Sequence, residues 1–116
     1  MSRTKGCVGE REVVRKLREL LVGTDASAWR IGHLETSPFA PTGDVVLGTS
    51  MVDGIELRAQ VRRREQVTDL WAWLGDTDVL MLRKNHTPWL VTLRLEDFAE
   101  LYRYAREAGY HGKTRR

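Results

Sequence analysis

IELRAQVRRR, residues 55–64, alternates apolar and polar positions from Ile55 to Arg62. Ile55, Leu57, Ala59 and Val61 fall on one side of an extended chain. Glu56, Arg58, Gln60 and Arg62 fall on the other, because successive side chains of a strand point to opposite faces. The stretch therefore reads as a long strand with one apolar face and one polar, charged face. Asp53-Gly54 just before it is a hairpin signal, and DVVLGT (44–49) before that turn reads as the partner strand, with Val45, Val46 and Leu47 continuous enough for burial. After it, Val67, Leu70, Trp71 and Leu74 recur at helical spacing over residues 65–74, and DVLMLR (78–83) is an apolar strand. Strand, helix and strand in this order form a crossover unit, so strands 55–64 and 78–83 are expected to be parallel.

The flanks extend this frame. In GEREVVRKLRELLVG, the residues Val13, Val14, Leu17, Leu20 and Leu21 predict an amphipathic helix over 9–22 that Gly23 stops, with Glu12, Lys16 and Glu19 on its solvent side. AWRIGHL (28–34) is a short strand candidate, followed by the turn-forming ETSPFAPTG. PWLVTLRL (88–95) is a further strand, set off by the turn Lys84-Asn85-His86-Thr87. A last helix begins near Glu96, with Phe98, Leu101, Tyr102 and Ala105 as its buried face and Gly109 as its end. The expected order is α-β-β-β-α-β-β-α, a mixed sheet flanked by helices in one α/β domain spanning 1–116. Residues 1–8 and 110–116 are expected to be flexible basic ends.

Composition narrows the function classes. The chain has 116 residues, 41% hydrophobic and 30% charged, which suits one compact globular domain. No apolar run is long enough to cross a bilayer, and MSRTKG leads into charge instead of a signal-peptide core. Cys7 is the single cysteine, so no internal disulfide is expected and a cytoplasmic location fits. The net charge is +3 and the pI about 9.4. The basic residues cluster at Arg62-Arg63-Arg64, at Arg83-Lys84, and at Lys113, Arg115 and Arg116, as suits phosphate backbones, although solvated surface explains each cluster equally well.

Two carboxylates stand out. Glu10 borders the apolar stripe of the first helix, where an unpaired charge is costly; the bland alternative is a first-turn acid favoured by the helix dipole. Asp44 opens a strand, where Asp is often a turn cap, but polar residues of the next strand can converge on it across the hairpin. One loop-edge Asp, a second acid on the neighbouring strand and a basic residue two places on suffice for metal-assisted phosphodiester hydrolysis. His33, His86 and His111 are scattered and imply no triad. Trp29, Trp71, Trp73 and Trp89 read mostly as core, with Trp73 off the main helical stripe and available for a dimer contact. No phosphate-binding loop, dinucleotide fingerprint or nucleophile elbow is present, so no nucleotide cofactor is expected.

KGCVGEREVVRKLREL (5–20), GDVVL (43–47), the alternating strand, REQV (64–67) and LRKNHTPWLVTLRLEDF (82–98) together resemble the archaeal-type Holliday junction resolvases and phage endonucleases of the PD-(D/E)xK class. The resemblance runs from Lys5 to about Leu101. It implies a restriction-endonuclease-like fold, a homodimer, branched or duplex DNA as partner, Mg²⁺ or Mn²⁺ as cofactor, and the host cytoplasm for a phage protein. By that resemblance Glu10 matches the acid of the N-terminal helix, Asp44 the metal-binding Asp and Gln66 the Gln of the second helix. Thr36 and Ser37 fall in the loop near the scissile phosphate. The acid-x-Lys element departs from the family in two registers: Glu56-Leu57-Arg58 keeps the acid and exchanges Lys for Arg, and Gln60-Val61-Arg62 exchanges both. Either leaves Glu10, Asp44 and Glu56 or Gln60 as metal ligands and Arg58 or Arg62 facing phosphate, with Arg63, Arg64, Lys84 and the basic tail holding the DNA backbone. Arg does not lose its proton as a buried Lys does, and an amide weakens Mg²⁺ binding. Three functions follow in order: a metal-dependent junction endonuclease, a relative that binds junctions without cutting, and an interaction domain with no nucleic-acid role.

Overall fold

A computed structural model describes residues 2–31, 44–50 and 53–110. The elements are α1 (Ser2–Leu20), β1 (Ser27–Arg30), β2 (Val45–Gly48), β3 (Ile55–Arg63), α2 (Leu70–Leu74), β4 (Val79–Arg83), β5 (Leu90–Leu93) and α3 (Leu95–Glu107). The strands form one five-stranded sheet in the order β1-β2-β3-β4-β5. β3 and β4 pair in parallel across the α2 crossover, and the other neighbours pair antiparallel. The chain is thus a small α/β domain with a mixed sheet flanked by helices.

The strict alternation in β3 sets the two faces. Ala59 and Val61 are buried with Val13 and Val14 of α1 and with Ala28, Val45, Val79 and Met81, and Leu17 and Trp89 pack on the same cluster. The opposite face carries a smaller cluster of Leu74, Leu80 and Leu82, with Leu70 and Trp73 against it. Residues buried on alternating sides of β4 explain why its sequence is continuously apolar. At the tip of the β2–β3 hairpin the Thr49 amide donates to the Gly54 carbonyl at 2.8 Å. A Cβ at Gly48 would collide with that same carbonyl, so the close approach requires glycine there. Partners along β2 and β3 run Leu47 with Leu57, then Gly48 with Ile55, so Glu56 is the extra residue of a bulge.

Several sequence expectations are corrected. α1 begins at Ser2 instead of residue 9, and Leu20 at its end is exposed. α2 begins at Leu70 instead of Glu65: Asp69 is an extended N-cap whose carboxylate accepts from the Ala72 amide at 3.1 Å, which sets the helix start. Val67 and Trp71, assigned to a core stripe, are exposed, while Trp73 packs on the small cluster. α3 begins at Leu95, and none of Phe98, Leu101, Tyr102 or Ala105 is buried. Helical spacing identifies the apolar stripe of α3 correctly but cannot say whether this chain supplies its cover. β1 ends at Arg30; the remainder of its expected span, residues 32–34, lies outside the described residues, as do Thr36, Ser37 and 111–116.

Candidate functional site

The antiparallel register that sets Val45 opposite Ala59 brings Asp44 to Gln60, and the Asp44 amide donates to the Ala59 carbonyl at 2.8 Å. The Asp44 carboxylate folds back over β3. Its Oδ2 accepts from the Val61 amide at 2.9 Å and from Arg62 Nη1 at 3.2 Å. The same Nη1 donates to Gln60 Oε1 at 3.2 Å and to the Val61 carbonyl at 2.9 Å. One guanidinium nitrogen therefore gathers the carboxylate, the carboxamide and a backbone carbonyl. Of the two registers open in the sequence, Gln60-Val61-Arg62 is the one beside Asp44.

Glu56 and Arg58 lie elsewhere. The bulge carries Glu56 to a groove it shares with Asp78, Asp97 and Glu100 beside α3. Arg58 is held by Asp78, whose Oδ2 accepts from the Arg58 amide at 2.6 Å and lies 3.5 Å from its Nε. Glu10, on α1, accepts from Arg30 Nε at 3.3 Å. Arg30 lies opposite Val45, and the next amide, of Ile31, donates to the Asp44 carbonyl at 3.1 Å. Glu10 and Asp44 thus flank one end of the sheet, each with its own arginine. Gln66 is exposed in the non-helical segment before α2, not on that helix. Among the described residues no three His, Cys, Asp or Glu side chains form a group able to hold a metal ion.

Of the residues expected to hold a DNA backbone, Lys84 is exposed in the turn after β4. Arg64 is half-buried, and its Nη1 donates to the Arg63 carbonyl at 3.1 Å. Arg63 points inward. Glu12, expected on the solvent side of α1, accepts from Arg63 Nη1 at 2.8 Å and from Arg83 Nη1 at 2.6 Å. Arg63 and Arg83 are direct neighbours on the parallel β3–β4 pair, so Glu12 separates two like charges that the sheet forces together. Helical spacing alone puts Glu12 about 100° from Val13 and does not show this contact.

No described helix is long and apolar enough to cross a membrane. Set against protein-family models, curated proteins and solved structures, the chain matches none of them.

Proposed function

We propose that this chain is a DNA-binding domain of the PD-(D/E)xK nuclease type that holds branched DNA without metal-dependent cleavage. The observation that carries this reading is the arrangement of Asp44, Gln60 and Arg62. Mg²⁺ bound to protein asks for hard oxygen donors in near-octahedral order, with one or two carboxylates supplying the charge. The donors at Asp44 do not fit it, because the one carboxylate and the neutral carboxamide beside it are both bonded to a permanent cation that repels a metal ion. Glu10 is engaged by Arg30, and Glu56 sits away from the pair. A guanidinium at Asp44 supplies positive charge for a phosphate but no general base, because Arg stays protonated. Arg62, Arg64 and Lys84 then serve as phosphate contacts, with Thr36 and Ser37 on the loop that the nuclease resemblance assigns to the scissile phosphate.

Two copies acting together is part of the same reading. Trp71, Leu95, Phe98 and Tyr102 are 84%, 76%, 53% and 46% exposed. Trp71 and Leu95 line one groove, Phe98 lies one turn further along α3, and its ring stacks on Tyr102 with centroids 6.2 Å apart. At about 150–250 Å² for a whole aromatic side chain, the strip exposes on the order of 500 Å², most of the roughly 800 Å² each partner gives to a stable interface. A twofold pair suits the symmetry of a four-way junction.

The test is retardation of a labelled four-way junction and a matched linear duplex in Mg²⁺ or Mn²⁺, across a salt series. The expected result is a salt-dependent complex, tighter on the junction, from which the DNA is recovered intact. Cutting would instead support a working endonuclease, and no retardation at low salt would leave an interaction domain.

A further inference from the structure

The groove between α1 and the outer edge of β1 lies outside every residue assigned to DNA above. Arg11, Arg15 and Arg18 line its helical wall, Arg30 stands at one end, and Val14 and Trp29 contribute apolar surface, enclosing about 690 Å³. Glu19 is the carboxylate on its wall. Of the nearby acids of α1, Glu12 is taken up by Arg63 and Arg83, and Glu10 pairs with Arg30 at the end of the groove. Arg11 and Arg15 are exposed, and neither has an ion-pair partner among the described residues.

We infer that this groove is a docking track for the phosphate backbone of nucleic acid. The inference rests on the DNA-binding reading and gives it a second surface. Its first support is spacing. Arg11, Arg15 and Arg18 recur at helical intervals on one face and span about 10 Å along the axis at 1.5 Å per residue. That is roughly three phosphates of one strand at 3.4 Å of duplex axis each. Its second support is charge, because Glu19 is the one acid on the groove wall against Arg11, Arg15, Arg18 and Arg30.

The rival occupant is an acidic peptide added as an extra strand on the open edge of β1. The register argues against it. Ile31 is hydrogen-bonded to Asp44, so by alternation Trp29 faces β2 and Ala28 turns its carbonyl to the open edge. That carbonyl already accepts from Arg18 Nε at 2.9 Å. One acceptor of the edge is thus already occupied by a side chain, and the groove beside it offers guanidinium groups.

The experiment is fluorescence anisotropy of the full chain with a labelled four-way junction across a salt series, for wild type, Arg11→Ala/Arg15→Ala and Arg64→Ala/Lys84→Ala. Arg11 and Arg15 make no side-chain bond among the described residues, so their loss is expected to leave the fold intact, which a thermal melt checks. The expected result for Arg11→Ala/Arg15→Ala is an affinity at least about tenfold weaker at moderate salt. The slope of log K against log salt should be shallower by about 2, with both restored by Arg11→Lys/Arg15→Lys. If that variant binds like wild type while Arg64→Ala/Lys84→Ala weakens, the groove proposal is overturned and the DNA reading stands. If wild type binds no DNA, both fall. Displacement of bound DNA by Arg64→Ala/Lys84→Ala alone, together with capture of polyglutamate that Arg11→Ala/Arg15→Ala abolishes, would assign the groove to an acidic peptide and overturn the proposal.

Discussion

Arg62 Nη1 stands 3.2 Å from Asp44 Oδ2, and that contact closes the end of the β2–β3 pair. Both side chains are about one-quarter exposed, 27% for Arg62 and 26% for Asp44, so the ion pair faces a solvent-accessible edge and can still meet a ligand. Within a metal-dependent nuclease a carboxylate at this position would bind a divalent cation. Here the cation beside it is covalently part of the chain, two residues after a glutamine. On the proposed reading, a fixed cation stands in exchange for a removable one.

Repairing the motif should reverse that exchange. Gln60→Glu with Arg62→Lys places a second carboxylate and a titratable amine beside Asp44. The double variant is expected to gain thermal stability on addition of Mg²⁺, by about 1.4 kcal/mol at ten times the dissociation constant, whereas wild type is expected not to respond. Melting curves with Mg²⁺ and with a chelator check both arms. Equal stabilisation of wild type would mean that its existing donors already bind the ion.

Glu12 should matter more for stability than any other surface-bordering acid. It separates Arg63 and Arg83, and the three side chains are only 22%, 23% and 25% exposed. Both Nε atoms are buried with no hydrogen-bond partner among the described residues, so Glu12 is the main compensation for two desolvated guanidiniums. Glu12→Ala is expected to destabilise the fold by about 2 kcal/mol or more. Glu19→Ala, on an exposed helical face, should change stability by less than about 0.5 kcal/mol. Chemical denaturation of the two variants side by side measures the contrast.

The alternation of β3 made most of the sheet legible in advance. It implied the hairpin to β2, the parallel crossover to β4 and the face on which α1 packs, because a one-residue slip would expose every apolar residue of the strand. The bulge at Glu56 was not legible, since it depends on the backbone approach of Gly48 and Gly54 at the hairpin tip. The pairing of Val45 with Ala59 sets Gln60 beside Asp44 and leaves Glu56 four residues away along β3, which decides between the two registers read in the sequence. Glu12 was misread because helical spacing places a residue on a face but does not reveal that two arginines on adjacent strands will reach it. Trp71 and α3 show the reverse error: their apolar spacing is that of a core, yet among the described residues no second layer covers them.

That uncovered strip predicts self-association. Leu95→Glu puts a charge at the centre of the surface formed with Trp71 and Phe98, on a helix already exposed, so the monomer fold should persist. Wild type is expected to elute as a dimer at micromolar concentration, and Leu95→Glu as a monomer, by size exclusion with light scattering. A wild-type monomer at high concentration would remove the paired reading and leave the DNA contacts to a single copy.

The most direct test of the central claim is incubation of a labelled four-way junction with wild type and with Asp44→Ala, in Mg²⁺ and in Mn²⁺, at protein concentrations that saturate binding. The expected result is bound but uncut junction in every lane. Metal-dependent cutting by wild type that disappears in Asp44→Ala would contradict it and make Asp44 a working metal ligand.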